Sequence, residues 1–227
     1  MKNRPYYTAY DARYRQVHAQ NLQWFDDAPS QIVLETIKEF SINKNQHLLE
    51  IGCGEGRDAF QLLNEGYPLL ATDISPEAIS YCQKKSSIYR ERFQVLDCTT
   101  QQLDRSFDFI FAIFVLHMFV QDEDRNAFYQ FIHQHLHSTG IALICTMGDG
   151  ITEYQTDINH AFDLQKRTHE QSGKDLQIAS TSCRTISFNS FHTELHRNRF
   201  DILKEGITSI EPDFPSVMYA VVKKVRT

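Results

Sequence analysis

Leu48-Leu49-Glu50-Ile51-Gly52-Cys53-Gly54-Glu55-Gly56-Arg57 reads as a strand that enters a glycine-rich turn and leaves it as a helix, with Asp73 seventeen residues past the last glycine. Gly52, Gly54 and Gly56 let the backbone turn sharply and approach a ligand, and an acid ending the next strand can accept from both hydroxyls of a ribose. The stretch marks a nucleotide-type cofactor site.

The dinucleotide fingerprint is G-x-G-x-x-G, its third glycine packing helix on strand. Here the glycines run G-x-G-x-G, so that pattern is not met. Glu50 also places a carboxylate at the strand end facing the turn, where a pyrophosphate is repelled and an ammonium attracted. A cationic, amino-acid-like ligand fits better.

At these residues the chain resembles the class I S-adenosylmethionine-dependent methyltransferases, whose first motif reads acidic-hydrophobic-Gly-x-Gly-x-Gly and whose second ends a strand in Asp or Glu. The resemblance continues through Asp97-Cys98 and Phe107-Asp108-Phe109-Ile110-Phe111-Ala112-Ile113-Phe114-Val115-Leu116-His117, covering roughly residues 45 to 147. It implies S-adenosyl-L-methionine as cofactor, S-adenosyl-L-homocysteine as product, and a seven-stranded sheet whose final strand is antiparallel.

The periodicity of the chain supports such a sheet. A helical pattern at Ile32, Val33, Thr36, Ile37 and Phe40 precedes strand one at His47 to Ile51, and the helix after Gly56 ends at Gly66. Strand two, Leu69 to Thr72, delivers Asp73. Ser75-Pro76-Glu77 starts a helix, with Ser as N-cap, Pro at the first position and an acid in the first turn. Phe93 to Leu96 reads as strand three, Asp108 to Ile113 as strand four, Asp122 to His137 as a helix and Gly140 to Met147 as strand five. Past Gly148-Asp149-Gly150 come about forty polar residues in which Tyr154, Ile158, Phe162 and Gln165 keep helical spacing with little apolar weight. A helix near Ser190 to Arg197, a strand from Phe200 to Ser209, a Pro212/Pro215 loop and a strand from Val217 to Lys224 complete the chain, the two strands suiting an antiparallel pair.

The expected fold class is therefore α/β: a doubly wound, mostly parallel seven-stranded sheet with helices on both faces, its last strand antiparallel, plus a helical or irregular lid insertion. We expect one domain over residues 1–227, made of an N-terminal lid segment (1–30), a cofactor-binding core (31–149), a substrate-side insertion (150–189) and a C-terminal helix with two strands (190–227). A chain of 227 residues, 41% of them hydrophobic, can bury one sizeable core.

The resemblance implies roles for particular residues. Glu50 and the backbone of Gly52, Cys53, Gly54 and Gly56 hold the methionine moiety, Asp73 the ribose, and Asp97 with the Cys98 amide the adenine edge, with Ile74 on its face. Ala112, Ile113 and Phe114 fall at the end of strand four, where open α/β sheets bind ligands. Arg57 can reach the cofactor carboxylate from the first turn of its helix. His117, just beyond strand four, is the candidate general base because its intrinsic pKa suits neutral pH, against the plain alternative of a packing histidine. Tyr14, Trp24, His117, Asp149 and Glu153 are the candidate substrate contacts. Tyr10-Asp11-Ala12-Arg13-Tyr14 and Trp24 are similar to lid segments of thiopurine-type and tellurite-type small-molecule methyltransferases.

Composition narrows the partners. A net charge of −6 counts against a broad nucleic-acid surface and leaves a small molecule as the expected acceptor. The apolar run Phe107 to Val120 is too short to cross a bilayer, and Met1 to Tyr7 has no apolar signal core, so no membrane partner is expected. Five cysteines without a C-x-x-C pair fit a reducing, cytoplasmic setting. No metal is expected: His133 and His137 share a helix face, but no cysteine or carboxylate has matching spacing. A monomer or homodimer is expected. Open alternatives are a protein or RNA acceptor, a non-catalytic S-adenosylmethionine-binding protein, and aminopropyl transfer.

Overall fold

The computed structural model describes residues 4–169, 171–210 and 214–225. After a short 3-10 turn at Tyr6–Thr8, the chain runs through helices α1 (Ala9–His18) and α2 (Gln31–Glu39). Strand β1 (Leu48–Ile51), α3 (Arg57–Asn64), β2 (Leu69–Asp73), α4 (Pro76–Lys85), β3 (Phe93–Val95), β4 (Phe107–Ile113), α5 (Asp122–His135) and β5 (Leu136–Met147) then alternate. Short strands β6 (Tyr154–Gln155), β7 (Leu164–Thr168), β8 (Asp175–Ala179) and β9 (Arg184–Thr185) form the insertion, and α6 (Phe188–Arg197), β10 (Phe200–Ile210) and β11 (Phe214–Lys224) close the chain.

The main sheet has seven strands in the order β10-β11-β5-β4-β1-β2-β3. β11 is antiparallel to both of its neighbours, while β1 is parallel to β2 and to β4. Strand order therefore reverses at β1, and the crevice between the ends of β1 and β4 is where an open α/β sheet binds its ligand. Both faces are covered. Leu48, Phe109, Phe111 and Leu143 pack against α2, α3 and α4, whereas Leu49, Ile51, Ile110 and Ile144 pack against α5 and α6. The near-continuous apolar strands follow from burial on two faces.

The N-cap of α4 is as the sequence predicts, with Ser75 Oγ accepting from Ala78 N and Pro76 at the first helical position. Two boundaries differ. Helix α5 stops at His135, and Leu136 already pairs with Phe107, so β5 starts four residues early and His137 is an exposed strand residue. Gly140 lies inside that strand beside a register irregularity, where a Cβ would come within 2.7 Å of Asp108 O; the glycine marks close backbone approach and not a strand start.

The insertion holds one 3-10 turn, Ile158–His160, and is otherwise built of short strands. β7 and β8 form an antiparallel hairpin, and β6 pairs with β9. The deciding signal is a period of two in Asp175–Ala179, where Leu176 and Ile178 are buried against Val17 of α1. At the C-terminal end Pro212 lies outside the described residues, and Pro215 belongs to β11 rather than to a loop. No helix among the described residues is long and apolar enough to cross a membrane.

Candidate active site

A cavity of about 280 Å³ opens at the ends of β1, β2 and β4 and is roofed by α1, the segment after it, and the β7–β8 insertion. Its size is close to that of small-ligand sites, and most of its lining is apolar or aromatic with a few charged groups. Its floor is the glycine turn.

Gly52, Gly54 and Gly56 have φ of +75°, +53° and +83°, a region that L side chains adopt at a cost. The turn is pinned beneath by Gly52 N and Cys53 N, which donate to Thr72 O at 2.7 and 2.9 Å. Asp73 holds it from the side: Oδ2 accepts from Gly54 N and Oδ1 from Ser75 N, both at 2.8 Å. Burial lifts the Asp73 carboxyl to about 6 despite these N–H groups, which favour its charged form.

Glu50 is 3% exposed and lines the cavity, and its Oε2 is buried without a hydrogen-bond partner among the described residues. Burial, reinforced by the negative charge of Asp58, raises its pKa well above the carboxylate range. Asp97 and Cys98 also line the cavity. Asp97 Oδ1 accepts from Thr99 N and Thr99 Oγ1, and burial pushes the Cys98 thiol up, as befits a packing cysteine.

The roof is fastened to this floor. Glu55, inside the glycine motif, accepts from Trp24 N and Phe25 N and pairs with His18 Nε2, while His18 Nδ1 reaches Glu77 on α4. Asp58 accepts from Ser30 N and Ser30 Oγ. Arg13 on α1 donates to Ala179 O, Ser180 O and Thr181 Oγ1, joining the N-terminal lid to the insertion. Asp11 ties α1 to the start of α4 through Ser75 Oγ.

His117, 4% exposed, also lines the cavity, with Tyr10 OH 3.3 Å from Nε2 and no partner on Nδ1 among the described residues. Burial, helped by the positive charges of Arg13 and Arg125, lowers its pKa to about 3. So low a pKa favours the neutral imidazole, which can accept or donate a hydrogen bond. Arg125, donating to Leu116 O and Phe119 O and paired with Glu194, holds the loop that carries His117.

Of the residues singled out from sequence, the cavity brings together Tyr14, Trp24, Glu50, Gly52, Cys53, Gly54, Arg57, Asp73, Ile74, Asp97, Cys98, Ile113, Phe114 and His117. Four stand outside its lining. Gly56 faces Phe60 and Cys82, where a Cβ would sit 2.7 and 3.0 Å away, so it serves helix packing. Ala112 is buried within β4 opposite Ile51. Asp149 caps its own turn by accepting from Ile151 N and Thr152 N, and Glu153 accepts from Ser187 and Ser190; both are exposed. Sequence reasoning passed over Glu55, Asp58, Arg13 and Arg167. Glu55 and Asp58 lie in or next to the motif and could have been noticed there, whereas the partners of Arg13 are more than 160 residues away along the chain.

These residues fit S-adenosylmethionine. An unpartnered buried carboxylate oxygen suits its ammonium, the glycine turn leaves room where side chains would project, and acids dominate the side that would receive a cation.

Residues 49–142 match the family model described as a methyltransferase domain. The fold is shared with 1,6-didemethyltoxoflavin-N1-methyltransferase of Burkholderia thailandensis, solved with bound 1,6-didemethyltoxoflavin and S-adenosylhomocysteine (TM-score 0.69, 16% identity, covering 100% of this chain and 92% of that one). It is also shared with the CcbJ methyltransferase of Streptomyces caelestis (TM-score 0.68, 12% identity, 95% and 99% covered). An S-adenosylmethionine-dependent methyltransferase of Clostridium acetobutylicum is similar over 97% of this chain and 99% of its own, at a TM-score of 0.66 and 15% identity. No curated protein sequence matches the chain.

Proposed function

With residues 49–142 a methyltransferase domain of the class I, S-adenosylmethionine-dependent fold, we propose that the chain methylates a small-molecule acceptor held beneath the lid. The observation that carries this reading is the roof itself. A site covered by α1, Trp24 and the β7–β8 hairpin favours a compact acceptor over a folded protein or an RNA helix. The similar 1,6-didemethyltoxoflavin-N1-methyltransferase, solved with 1,6-didemethyltoxoflavin bound, supports the same direction.

When bound, S-adenosylmethionine supplies an electrophilic methyl on a positively charged sulfur. The task of the chain is then to align and to exclude water. Glu50 and the glycine-turn backbone hold the amino-acid end, Asp73 the ribose, and Asp97 with Cys98 the base. Arg57, on which Ser30 Oγ already sits at 2.8 Å, is available at the carboxylate end. Neutral His117 accepts or donates one hydrogen bond at Nδ1 and orients the acceptor. Closure of the lid through Glu55 keeps the site dry.

The free state of all five cysteines supports a cytoplasmic, reducing setting, and the one sheet that runs from β1 to β11 supports reading the chain as a single domain. Incubation with methyl-labelled cofactor and fractionated cell extract tests the proposal. Label in small molecules is expected, and label confined to transfer RNA or protein overturns it.

A further inference from the structure

The two ends of the cavity carry opposite charge. Glu50, Asp58 and Asp73, with Arg57 as the one cation beside them, stand at the glycine-turn end, while Arg13 and Arg167 stand at the lid end. Arg13 is 7% exposed, and Nε and Nη2 donate to uncharged oxygens of Ala179, Ser180 and Thr181. A guanidinium removed from water without a counter-charge is costly, and a carboxylate partner is its usual remedy. No carboxylate among the described residues pairs with it, in a chain whose net charge is −6.

Arg167, on β7, adds a second cation at the same place. Its guanidinium lies 5.2 Å from the centre of the Trp24 ring, and that of Arg13 lies 5.0 Å from it. Two like charges are thus brought to one indole, and each opposes the other: Arg167 is among the groups that lower the pKa of Arg13. Glu55, which lines the same cavity, is committed to the backbone N–H groups of Trp24 and Phe25. His117 lines the same cavity, and its buried Nδ1 has no hydrogen-bond partner among the described residues. Side chains so arranged form half of a binding site, and the absent half is negative, flat and able to hydrogen-bond.

We propose that the methyl acceptor is a planar aromatic anion, with its negative group at Arg13 and Arg167 beside Trp24 and a polar ring atom toward His117. This inference rests on the methyltransferase reading and names its substrate class.

Trp24 is the single tryptophan of the chain, so its fluorescence reports occupancy of this end of the cavity directly. Calorimetry with S-adenosylhomocysteine comes first. The loaded protein is then titrated with 4-hydroxybenzoate and quinoline-2-carboxylate, each beside its carboxamide, by heat and by Trp24 quenching. The carboxylates are expected to bind at least about tenfold tighter than the carboxamides. In Arg167→Gln, whose side chain is exposed and whose fold is therefore retained, that gap should close while S-adenosylhomocysteine still binds. Equal affinity for acid and amide, or no binding of either carboxylate by loaded protein, overturns the proposal alone. Failure to bind S-adenosylhomocysteine overturns the parent reading with it.

Discussion

Both carboxylate oxygens of Glu55 accept the backbone N–H of Trp24, at 2.8 and 2.9 Å. A residue of the glycine turn thus holds the segment that roofs the cavity, so floor and roof are one hydrogen-bonded unit. Charged hydrogen bonds of this kind contribute about 1.5 to 3 kcal/mol each. Glu55→Ala is expected to ease local opening of residues 19–30 by roughly 2 to 4 kcal/mol, with global stability less affected. Hydrogen exchange at the Trp24 and Phe25 amides measures this, and unchanged protection would show that the lid is held elsewhere.

His18 makes lid closure pH-dependent. Burial alone would lower its pKa, but hydrogen bonds and charges from Glu55 and Glu77 outweigh burial and raise it above 6.5. A raised pKa means that the stabilising contribution is complete below the unfolded value and disappears as pH rises through the folded one. Exchange at the Trp24 amide, corrected for intrinsic rate, should therefore accelerate between about pH 6.5 and the folded pKa. His18→Ala should abolish that step, and a step that persists in the variant would assign it to another group.

Glu50 couples stability to protons in the same sense as His18. Its pKa in the free protein is raised well above 4.5, so the carboxyl folds largely protonated, and stability falls as pH rises from about 4.5 through the folded pKa. Glu50→Gln removes that penalty and should raise Tm more at pH 8 than at pH 5. The same variant should lose cofactor affinity at least about tenfold, because an amide cannot answer an ammonium. Thermal scans and calorimetry with S-adenosylhomocysteine give both readings, and retained affinity would move the ammonium to another acid.

Gly52 combines a left-handed φ of +75° with a neighbour, Val115 Cγ2, only 2.3 Å from where a Cβ would lie. Gly52→Ala is expected to destabilise the fold by about 2 to 4 kcal/mol through strain and overpacking together. Val115→Ala in the same chain should return the steric share and leave about 1 kcal/mol of backbone strain. A double-mutant cycle by urea unfolding separates the two, and zero coupling would rule out the clash as the cause.

Arg125 is 1% exposed and pairs with Glu194 while donating to Leu116 O and Phe119 O on either side of His117. Arg125→Met is expected to cost about 3 to 5 kcal/mol, since Glu194 and two carbonyls lose their partner. The double variant Arg125→Met, Glu194→Leu should recover much of that stability. Its acceptor KM should still rise, because the loop carrying His117 is no longer held.

The elements of the core were legible because each carries a local signature. Gly52 to Gly56, the Ser75-Pro76 cap, the apolar strands and the acid at Asp73 depend on neighbours within a few residues, and short-range sterics and burial on both sheet faces impose the same pattern wherever the fold occurs. The insertion was misread because Tyr154, Ile158 and Phe162 mimic a helical period, whereas the period that matters, Leu176 and Ile178, has a meaning only once Val17 of α1 covers it. The end of α5 was misplaced because Leu136 is drawn into the sheet by Phe107, a partner 29 residues away that local propensity does not register.

The same division runs through the site. Which acids and glycines meet at the ends of β1 and β2 is determined by the sequence alone, because a strand, a turn and a helix of given lengths deliver them there. Tertiary structure alone decided that Arg13 and Arg167 converge on Trp24, that Glu55 holds the lid, and that His117 is neutral. Those properties depend on contacts between distant segments and on the low dielectric their closure creates, and neither is encoded at any single place in the chain.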